Sequence, residues 1–400
     1  MNICLVSQAL PYLPSRGGFR LYGANLIRCL SKRHRVDLVS LLVDHDREHL
    51  DWPRPYCSQV ETIDVGHPRL PMRAANFVAG YLSGTALHHR AELAEILSRG
   101  IAAARWDVIH FEGDYVASLM AGRLPVPTVL SLHDSWTLRC REMLACAQNW
   151  REKLHYSALA AREPRFERQL YPKFDRCIVV ADRDLAEVKR VVPGARAELI
   201  PYGTDTDYFH PVHLEKQPSS LVFHGHLGYP PNVEAVTEFA RVIFPLVRRE
   251  AREATFHIVG ADPAPQVRAL ATLDGVRLSE NLPDIRPSVC GSSIYVCAIR
   301  HGTGLKSKVL EAMAMRMPIV AYHPGSTVGI ACVHDKHLMA AETPESFARY
   351  VLLLLRHPER AERLARAARQ LTEEQYSWES RAIAYEDLYR QLQTERRRAA

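Results

Sequence analysis

The residues best suited to chemistry lie between positions 301 and 311, where the sequence reads HGTGLKSKVLE. A glycine-spaced loop runs into an apolar helix, and a helix start favours phosphate through its unpaired N–H groups and its positive dipole end. Lys306 and Lys308 add positive charge, and Glu311 is a lone carboxylate that could accept hydrogen bonds from two ribose hydroxyls. The pattern indicates a nucleotide site. Because glycine loops before helices are common, a surface loop with solvated lysines is the alternative.

Short apolar runs alternate with helical patterns along the chain, as in βα units that build a parallel sheet. The alternation restarts near residue 220, after a polar, proline-containing segment at 201–219. We therefore predict an α/β protein with two Rossmann-like halves. The predicted strands are 3–6, 36–42, 108–111, 128–132, 177–180, 220–224, 255–260, 294–297 and 318–322.

The composition excludes several classes of protein. The 400 residues, 47% apolar and 24% charged, are typical of a soluble protein with two domains. A net charge of +6 without a concentrated basic run argues against a nucleic-acid partner. Nine scattered cysteines indicate reduced thiols in a cytosol. We expect no signal peptide, because the N-terminus lacks a basic region and its apolar stretch is too short. We also expect no membrane span, since no apolar run reaches about 18 residues.

Segments 302–306 and 309–314 together resemble the donor-site motif of bacterial family 4 glycosyltransferases, which are retaining enzymes with the GT-B fold. Other segments resemble further parts of these enzymes in the correct order. They are 200–205 (interdomain crossing), 223–232 and 258–261 (first two strands of the C-terminal domain), 281–285 (loop near the base) and 376–379 (closing helix). The resemblance implies two Rossmann-like domains facing across a cleft, with the C-terminal helix crossing back to the first.

The resemblance also implies domain limits and residue roles. Residues 1–203 and 380–400 would form an acceptor domain, and 204–379 a nucleotide-sugar donor domain. His133 would face the donor sugar, Lys306 would bind the diphosphate and Glu311 the ribose, and these three are the predicted catalytic residues. The other predicted donor-binding residues are Gly17, Gly18, His226, Pro283, Ile285, Arg300, His301, Gly302, Thr303, Gly304, Leu305 and Lys308.

Polar residues after two predicted strands of the first half have alternative roles. Glu112 and Asp114 could bind an acceptor hydroxyl and take part in proton transfer, or form an ordinary polar turn. Asp134 could orient the imidazole of His133 or cap the next helix. His133 itself could be a satisfied histidine at a strand end. The glycine pair at 17–18, flanked by arginines, could approach phosphate or form a simple turn.

The sequence departs from the family pattern at positions that carry charge. Many members have a glutamate eight residues before the one that matches Glu311, and Thr303 stands there in this chain. His226 replaces an arginine that many members carry, and a lysine a few residues later is missing. The positive charge for the diphosphate must therefore come mainly from Lys306, Lys308 or Arg300.

Two other patterns have structural explanations that we prefer. The pairs Asp182/Asp184 and Asp205/Asp207 look like metal-binding motifs, but carboxylates also stabilise helix starts, so we expect no metal and no cofactor. Residues 150–174 are rich in arginine, lysine and aromatic side chains, are interrupted by Pro164 and could lie on an anionic membrane. A solvated face beside a core stripe is the commoner explanation.

The function that follows is transfer of a sugar from a nucleotide sugar, with a UDP-sugar expected, to an acceptor hydroxyl with retention of configuration. The acceptor would be a saccharide, a lipid-linked molecule or a small natural product, in polysaccharide, glycolipid or natural-product biosynthesis. The expected location is the cytoplasm, with the inner membrane surface left open. The alternatives are an epimerase or hydrolase of a nucleotide sugar and a non-catalytic GT-B partner subunit.

Overall fold

The computed structural model describes residues 1–14, 18–65, 89–147, 149–300 and 305–399. The chain divides into two compact units. Unit 1 comprises Met1–Pro201 and Arg381–Ala400, and unit 2 comprises Tyr202–Ser380. Each unit is built on one parallel sheet flanked by helices, so both are Rossmann-like α/β units.

In the described part of unit 1, seven strands form one sheet. They are β1 (Asn2–Ser7), β2 (Arg35–Leu42), β3 (Gln59–Asp64), β4 (Val108–Glu112), β5 (Thr128–His133), β6 (Arg176–Val179) and β7 (Ala197–Leu199). Their order is β3-β2-β1-β4-β5-β6-β7, and all neighbours are parallel. The order reverses between β1 and β4, which is where open sheets of this kind bind ligands.

The helices of unit 1 cover a sheet whose central strands are almost wholly buried. They are α1 (Gly18–Leu30), α2 (Arg90–Ala102), α3 (Asp114–Ser118), α4 (Trp136–Cys146), α5 (Trp150–Leu170) and α6 (Asp182–Val191). The expected interruption at Pro164 is wrong, because α5 continues through it. Phe166 and Leu170, which follow this proline, are buried, and such packing can offset the backbone hydrogen bond that a proline removes.

Unit 2 repeats the same topology, with six parallel strands among its described residues. They are β8 (Ser220–His226), β9 (Thr255–Ala261), β10 (Val276–Glu280), β11 (Ile294–Cys297), β12 (Ile319–Tyr322) and β13 (Met339–Ala341). The order is β10-β9-β8-β11-β12-β13, so the switch point lies between β8 and β11. The helices are α7 (Pro230–Glu238), α8 (Phe244–Glu250), α9 (Pro265–Arg268), α10 (Arg286–Cys290), α11 (Ser307–Ala314), α12 (Pro344–Arg356) and α13 (Pro358–Gln375).

Short non-α turns complete the helical elements. A π-helical turn, Phe239–Ile243, joins α7 to α8. The 3-10 turns are Asp44–His49, Tyr171–Lys173 and Ala269–Thr272.

The last helix, α14 (Trp378–Ala399), begins in unit 2 and continues in unit 1. At its start the Trp378 ring covers Gly203, where a Cβ would lie 2.6 Å from the indole. Further along, Tyr385 and Tyr389 are buried in unit 1. The prediction of a C-terminal helix that returns to the first domain is confirmed. Within the described ranges no helix is long and apolar enough to cross a bilayer.

Candidate functional site

In unit 2 the polar side chains collect at the carboxyl end of β8. Lys308 and Glu311 are three residues apart on α11 and therefore share one face of that helix. Glu311 Oε2 lies 2.7 Å from His224 Nε2 on β8. The Lys308 side chain passes over the next residue, since its Cε is 3.1 Å from where a Cβ on Gly225 would stand. The structure thus brings the predicted carboxylate and one predicted lysine to the switch point of this sheet.

Lys306 occupies the N-cap position of α11, and the residue is only 8% exposed. The first turn of α11, which the structure describes in full, contains no acidic residue. The unpaired N–H groups of a helix start carry partial positive charge, and the buried ammonium adds to it. This end of α11 is therefore suited to an anion.

Arg300, at the end of the segment that follows β11, is held in a network of its own. Its guanidinium donates to Glu238 at 2.7 and 2.9 Å and to the Tyr322 hydroxyl at 2.7 Å, and it stacks over the Tyr322 ring. The ion pair with Glu238 raises the pKa of the guanidinium. These contacts occupy the guanidinium, and the predicted role of Arg300 at the diphosphate stays a prediction.

The structure describes four further predicted donor-binding residues of unit 2. His226 is exposed at the end of β8, and its Nε2 is 3.4 Å from Asp262 Oδ2. Pro283 is exposed and Ile285 half-buried in a loop that the Asp284–Arg286 ion pair braces. Leu305 is half-buried just before α11.

In unit 1 His133 closes β5 in a strained conformation. Its φ of 62° is in the left-handed region that side chains other than glycine seldom adopt. Rings of α1 hold the imidazole from two sides, Phe19 at 4.4 Å and Tyr22 at 4.5 Å between centroids, both edge-on. The helix that begins at Gly18 therefore positions this histidine.

The carboxylate beside His133 is Glu112, at the end of β4. Glu112 Oε1 lies 3.6 Å from His133 Nε2, and Ser7 Oγ donates to Oε2 at 3.3 Å. Burial raises the pKa of this carboxyl, against the opposing effect of His133. A Cβ at Gly23 would overlap Glu112 Oε2, so any larger residue at that position would have to displace this carboxylate.

The two roles considered for Asp134 belong to its neighbours. The N-cap of α4 is Ser135, whose side chain accepts from the Leu138 N–H. The carboxylate next to the imidazole is Glu112, whereas Asp134 lies 3.6 Å from Arg139. Sequence spacing could not separate these residues, because it does not show which strand end lies beside β5.

Asp114 begins α3 and is half-buried. Its pKa is raised to about 7, chiefly by burial and then by the negative charge of Glu163. A carboxyl that keeps its proton near neutral pH could act as either donor or acceptor toward a hydroxyl.

Sequence reasoning missed two buried histidines. His224 is the partner of Glu311. His110 on β4 lies 2.6 Å from the Tyr389 hydroxyl and 2.8 Å from Ser131 Oγ, and burial lowers its pKa to about 3. The signal in both cases was a histidine that directly follows an apolar run within its strand, because a buried polar side chain needs a partner.

Several predicted residues lie outside the described residues, namely Gly17, His301, Gly302, Thr303 and Gly304.

One carboxylate of each aspartate pair accepts hydrogen bonds from backbone N–H groups. Asp205 Oδ1 accepts from the Asp207 and Tyr208 N–H groups, and Asp184 Oδ1 accepts from the Ser135 N–H. In the described part of the chain, no three histidine, cysteine, aspartate or glutamate residues are grouped so that they could hold a metal ion.

Comparison with protein families matches both halves of the chain. Residues 16–208 match the family model Glycosyltransferase Family 4, and residues 218–357 match the model Glycosyl transferases group 1. The comparison with curated protein sequences gave no match.

Solved glycosyltransferase structures share this fold at low sequence identity. Sucrose-phosphate synthase from Thermosynechococcus elongatus has a TM-score of 0.65 at 17% identity, with 98% of each chain covered. HepE of Anabaena in complex with UDP has a TM-score of 0.64 at 12% identity, covering 97% of this chain and 99% of its own. HepE has also been solved with UDP-glucose, with a TM-score of 0.59 at 13% identity over 97% and 99% of the two chains.

A third protein is TarM of S. aureus, in which a variant was solved with Fondaparinux, alpha-GlcNAc-glycerol and UDP. Its TM-score is 0.63 at 10% identity, with 97% of this chain and 99% of TarM covered. These likenesses establish two Rossmann-like units of the GT-B type.

Proposed function

We propose that this chain, which belongs to the family-4-like glycosyltransferases, moves a sugar from a UDP-sugar to an acceptor hydroxyl with retention of anomeric configuration. The observation that carries the proposal is the group at the end of β8, where Glu311 contacts His224 and Lys308 passes over Gly225, beside the lysine-capped start of α11. Carboxylate, cation and helix start are the three features that a nucleoside diphosphate needs.

In this proposal the charge of each side chain determines which part of the nucleotide it binds. Lys306, Lys308 and the N–H groups of α11 bind the diphosphate, which gains negative charge as the sugar leaves. Glu311 accepts hydrogen bonds from the ribose hydroxyls. These groups stabilise the leaving group, and a stabilised leaving group lowers the barrier for the chemical step.

The reaction exchanges one bond at the anomeric carbon. The bond from that carbon to the diphosphate oxygen breaks, and a bond to the acceptor oxygen forms on the same face. The proton of the acceptor hydroxyl passes to the departing diphosphate. No covalent sugar–enzyme intermediate is required, and neither a metal nor a cofactor takes part.

The choice of a UDP-sugar and of a saccharide acceptor rests on the neighbours. HepE was solved with UDP and UDP-glucose, and TarM with UDP and saccharides. We propose Asp114 as a contact of the acceptor, which would be a saccharide, a lipid-linked molecule or a small natural product. Glu112 is fully buried beside His133, so its predicted contact with the acceptor stays a prediction. Contact with a membrane surface would rest on Trp150 and Leu154 of α5, which are 70% and 65% exposed.

A donor screen tests the proposal. The purified chain is incubated with UDP-, GDP- and ADP-sugars, with and without saccharide acceptors, and nucleoside diphosphate release is measured. We expect release from a UDP-sugar that depends on the acceptor, and a product with the anomeric configuration of the donor. Acceptor-independent turnover would indicate a hydrolase or epimerase, and UDP binding without turnover a non-catalytic subunit. Inverted product would overturn the stereochemical proposal.

His133 is the proposed contact of the transferred sugar. We expect His133→Ala to lower kcat by about tenfold or more, which corresponds to about 1.4 kcal/mol per factor of ten. UDP affinity should change little, because Lys306, Lys308 and Glu311, the main groups proposed to hold UDP, all lie in unit 2. A parallel fall in turnover, UDP affinity and melting temperature would instead identify a structural histidine.

A further inference from the structure

We propose that His224 is a positioning residue that holds the Glu311 carboxylate ready for ribose. The proposal rests on the proposed function, and it concerns a residue with no assigned role. His224 would act through Glu311 and touch no substrate. The observation that carries it is the 2.7 Å contact between His224 Nε2 and Glu311 Oε2.

The position of His224 in the sheet indicates that its contact with Glu311 is not incidental. β8 lies in the interior of the sheet of unit 2, between β9 and β11. Its residues Leu221, Val222 and Phe223 are fully buried core, and His224 is only 3% exposed. A buried imidazole without a hydrogen bond lowers the stability of the fold. An apolar residue would therefore suit the core better if the ring had no functional role.

The imidazole is the fixed member of this pair. Its backbone is paired with Val259 of β9, and the Tyr295 ring packs against it at 5.3 Å between centroids and 60° between planes. Glu311 is the more exposed member, on a helix surface with 21% of its side chain exposed. A fixed ring can therefore select one rotamer of the glutamate.

The chemistry of the contact leaves Glu311 able to bind ribose. An ionised carboxylate only accepts hydrogen bonds, so the contact requires a proton on His224 Nε2. One such bond uses one of the roughly four acceptor positions of the carboxylate, and the others stay open to two hydroxyls. A glutamate that is already ordered loses less side-chain entropy when the ligand binds, and the affinity rises accordingly.

The test compares two substitutions at position 224 by calorimetry with UDP. His224→Phe removes the donor, and His224→Gln can return an N–H to the position of Nε2. The matched control is His257→Phe, since His257 is a buried strand histidine of the same unit, 2.9 Å from Ser279 Oγ and not in contact with Glu311. Each variant is also titrated with a UDP analogue that lacks both ribose hydroxyls.

We expect His224→Phe to weaken UDP binding by about tenfold and His224→Gln to restore most of it, because a hydrogen bond to a charged group is of this strength. Neither variant should change the affinity for the analogue, and His257→Phe should leave both affinities unchanged. In a Glu311→Ala background, His224→Phe should have no further effect on UDP affinity.

Two results would overturn the proposal. One is an unchanged UDP affinity in His224→Phe while Glu311→Ala weakens UDP binding, which would leave the proposed function standing. The other is an equal loss for UDP and the analogue in both His224 variants, which would indicate a role in the core alone. If Glu311→Ala itself binds UDP like the parent, the ribose role in the proposed function fails, and with it the reason for positioning.

Discussion

At the scale of single residues, Lys306 and Lys308 are not equivalent. If the helix had already begun at Lys306, lysines two apart could not share a face. Because α11 begins at Ser307 and Lys306 is its cap, both can reach the phosphate side. The smaller exposure of Lys306 gives it the stronger electrostatic effect on a bound anion.

We therefore expect Lys306→Ala to weaken UDP binding more than Lys308→Ala does, as calorimetry would measure. Lys336→Ala is the matched control, since Lys336 is an exposed lysine of the same unit. The reverse order would assign the diphosphate to Lys308. Equal losses no larger than that of the control would make both residues ordinary surface lysines.

Asp114 should make the stability of the protein fall as pH rises. Its pKa is raised from 3.8 to about 7 in the folded state, chiefly by burial. Between these values the folded state keeps a proton that the unfolded chain has lost, so the free energy of unfolding decreases as pH increases through that window. The contribution is fully present below the unfolded value and absent above about pH 7.

Asp114→Asn removes this titration. The difference in melting temperature between parent and variant should therefore shift in favour of the variant from pH 4 toward pH 7 and then stay level, as differential scanning fluorimetry across pH would show. A difference that is constant with pH would mean that Asp114 titrates normally in the folded protein.

At the scale of elements, the carboxyl end of β8 depends on close approach by β9. A Cβ on Gly260 would overlap the carbonyl oxygen of Gly225, and backbone atoms cannot turn aside as a side chain can. Gly260→Ala should cost on the order of 1–3 kcal/mol of stability and also weaken UDP binding, because Gly225 adjoins His224. Denaturation monitored by circular dichroism and UDP calorimetry would measure the two effects.

The control for this substitution is Gly194→Ala, where an added Cβ meets nothing within 4 Å. It should leave both measurements near those of the parent. A Gly260→Ala variant as stable as the parent would mean that β8 and β9 separate at this end at little cost.

The strands predicted from sequence and those that were missed differ by their place in the sheets. The nine predicted strands are the interior ones, buried on both faces and therefore continuous apolar runs. The missed strands β3, β7, β10 and β13 are the four edges. Edge strands such as QVETID and VRLSE mix polar and apolar residues because one side meets solvent, so no apolar run marks them.

Part of the candidate site could likewise be predicted from the sequence. Glu311, Lys306 and Lys308 could be picked out because their types and the helix start lie within one short segment. The partners His224 and Glu112 could not, because they depend on which strand end lies beside which helix. Contacts of that kind follow from sheet order and helix orientation rather than from spacing along the chain.

At the scale of the whole molecule, helix α14 brings the C-terminal residues of the chain into unit 1. Tyr385 of this helix hydrogen-bonds to the Tyr22 hydroxyl and, at 3.0 Å, to Ser131 Oγ, and Tyr389 bonds to His110. These polar groups are all buried. Since Tyr22 packs against His133, the helix supports the element that positions that residue.

Differential scanning calorimetry of the intact chain, with and without UDP, can distinguish the melting transitions of the two units. By the proposed function UDP binds unit 2, and a ligand raises only the transition of the unit that it binds. Tyr385→Phe leaves Ser131 and Tyr22 with an unmade buried hydrogen bond, at a cost of about 1–3 kcal/mol. We expect it to lower the transition that UDP does not shift. Tyr229→Phe, at an exposed tyrosine of unit 2, should lower neither.

The same variant links stability to turnover. If α14 supports His133 through Tyr22, Tyr385→Phe should lower kcat while UDP affinity stays at the parental value, as for His133→Ala but to a smaller extent. If kcat is unchanged and only the melting transition of unit 1 is lowered, α14 contributes to stability and not to turnover. A loss of UDP affinity would contradict the division of labour between the units, because the main groups proposed to hold UDP, Lys306, Lys308 and Glu311, belong to unit 2.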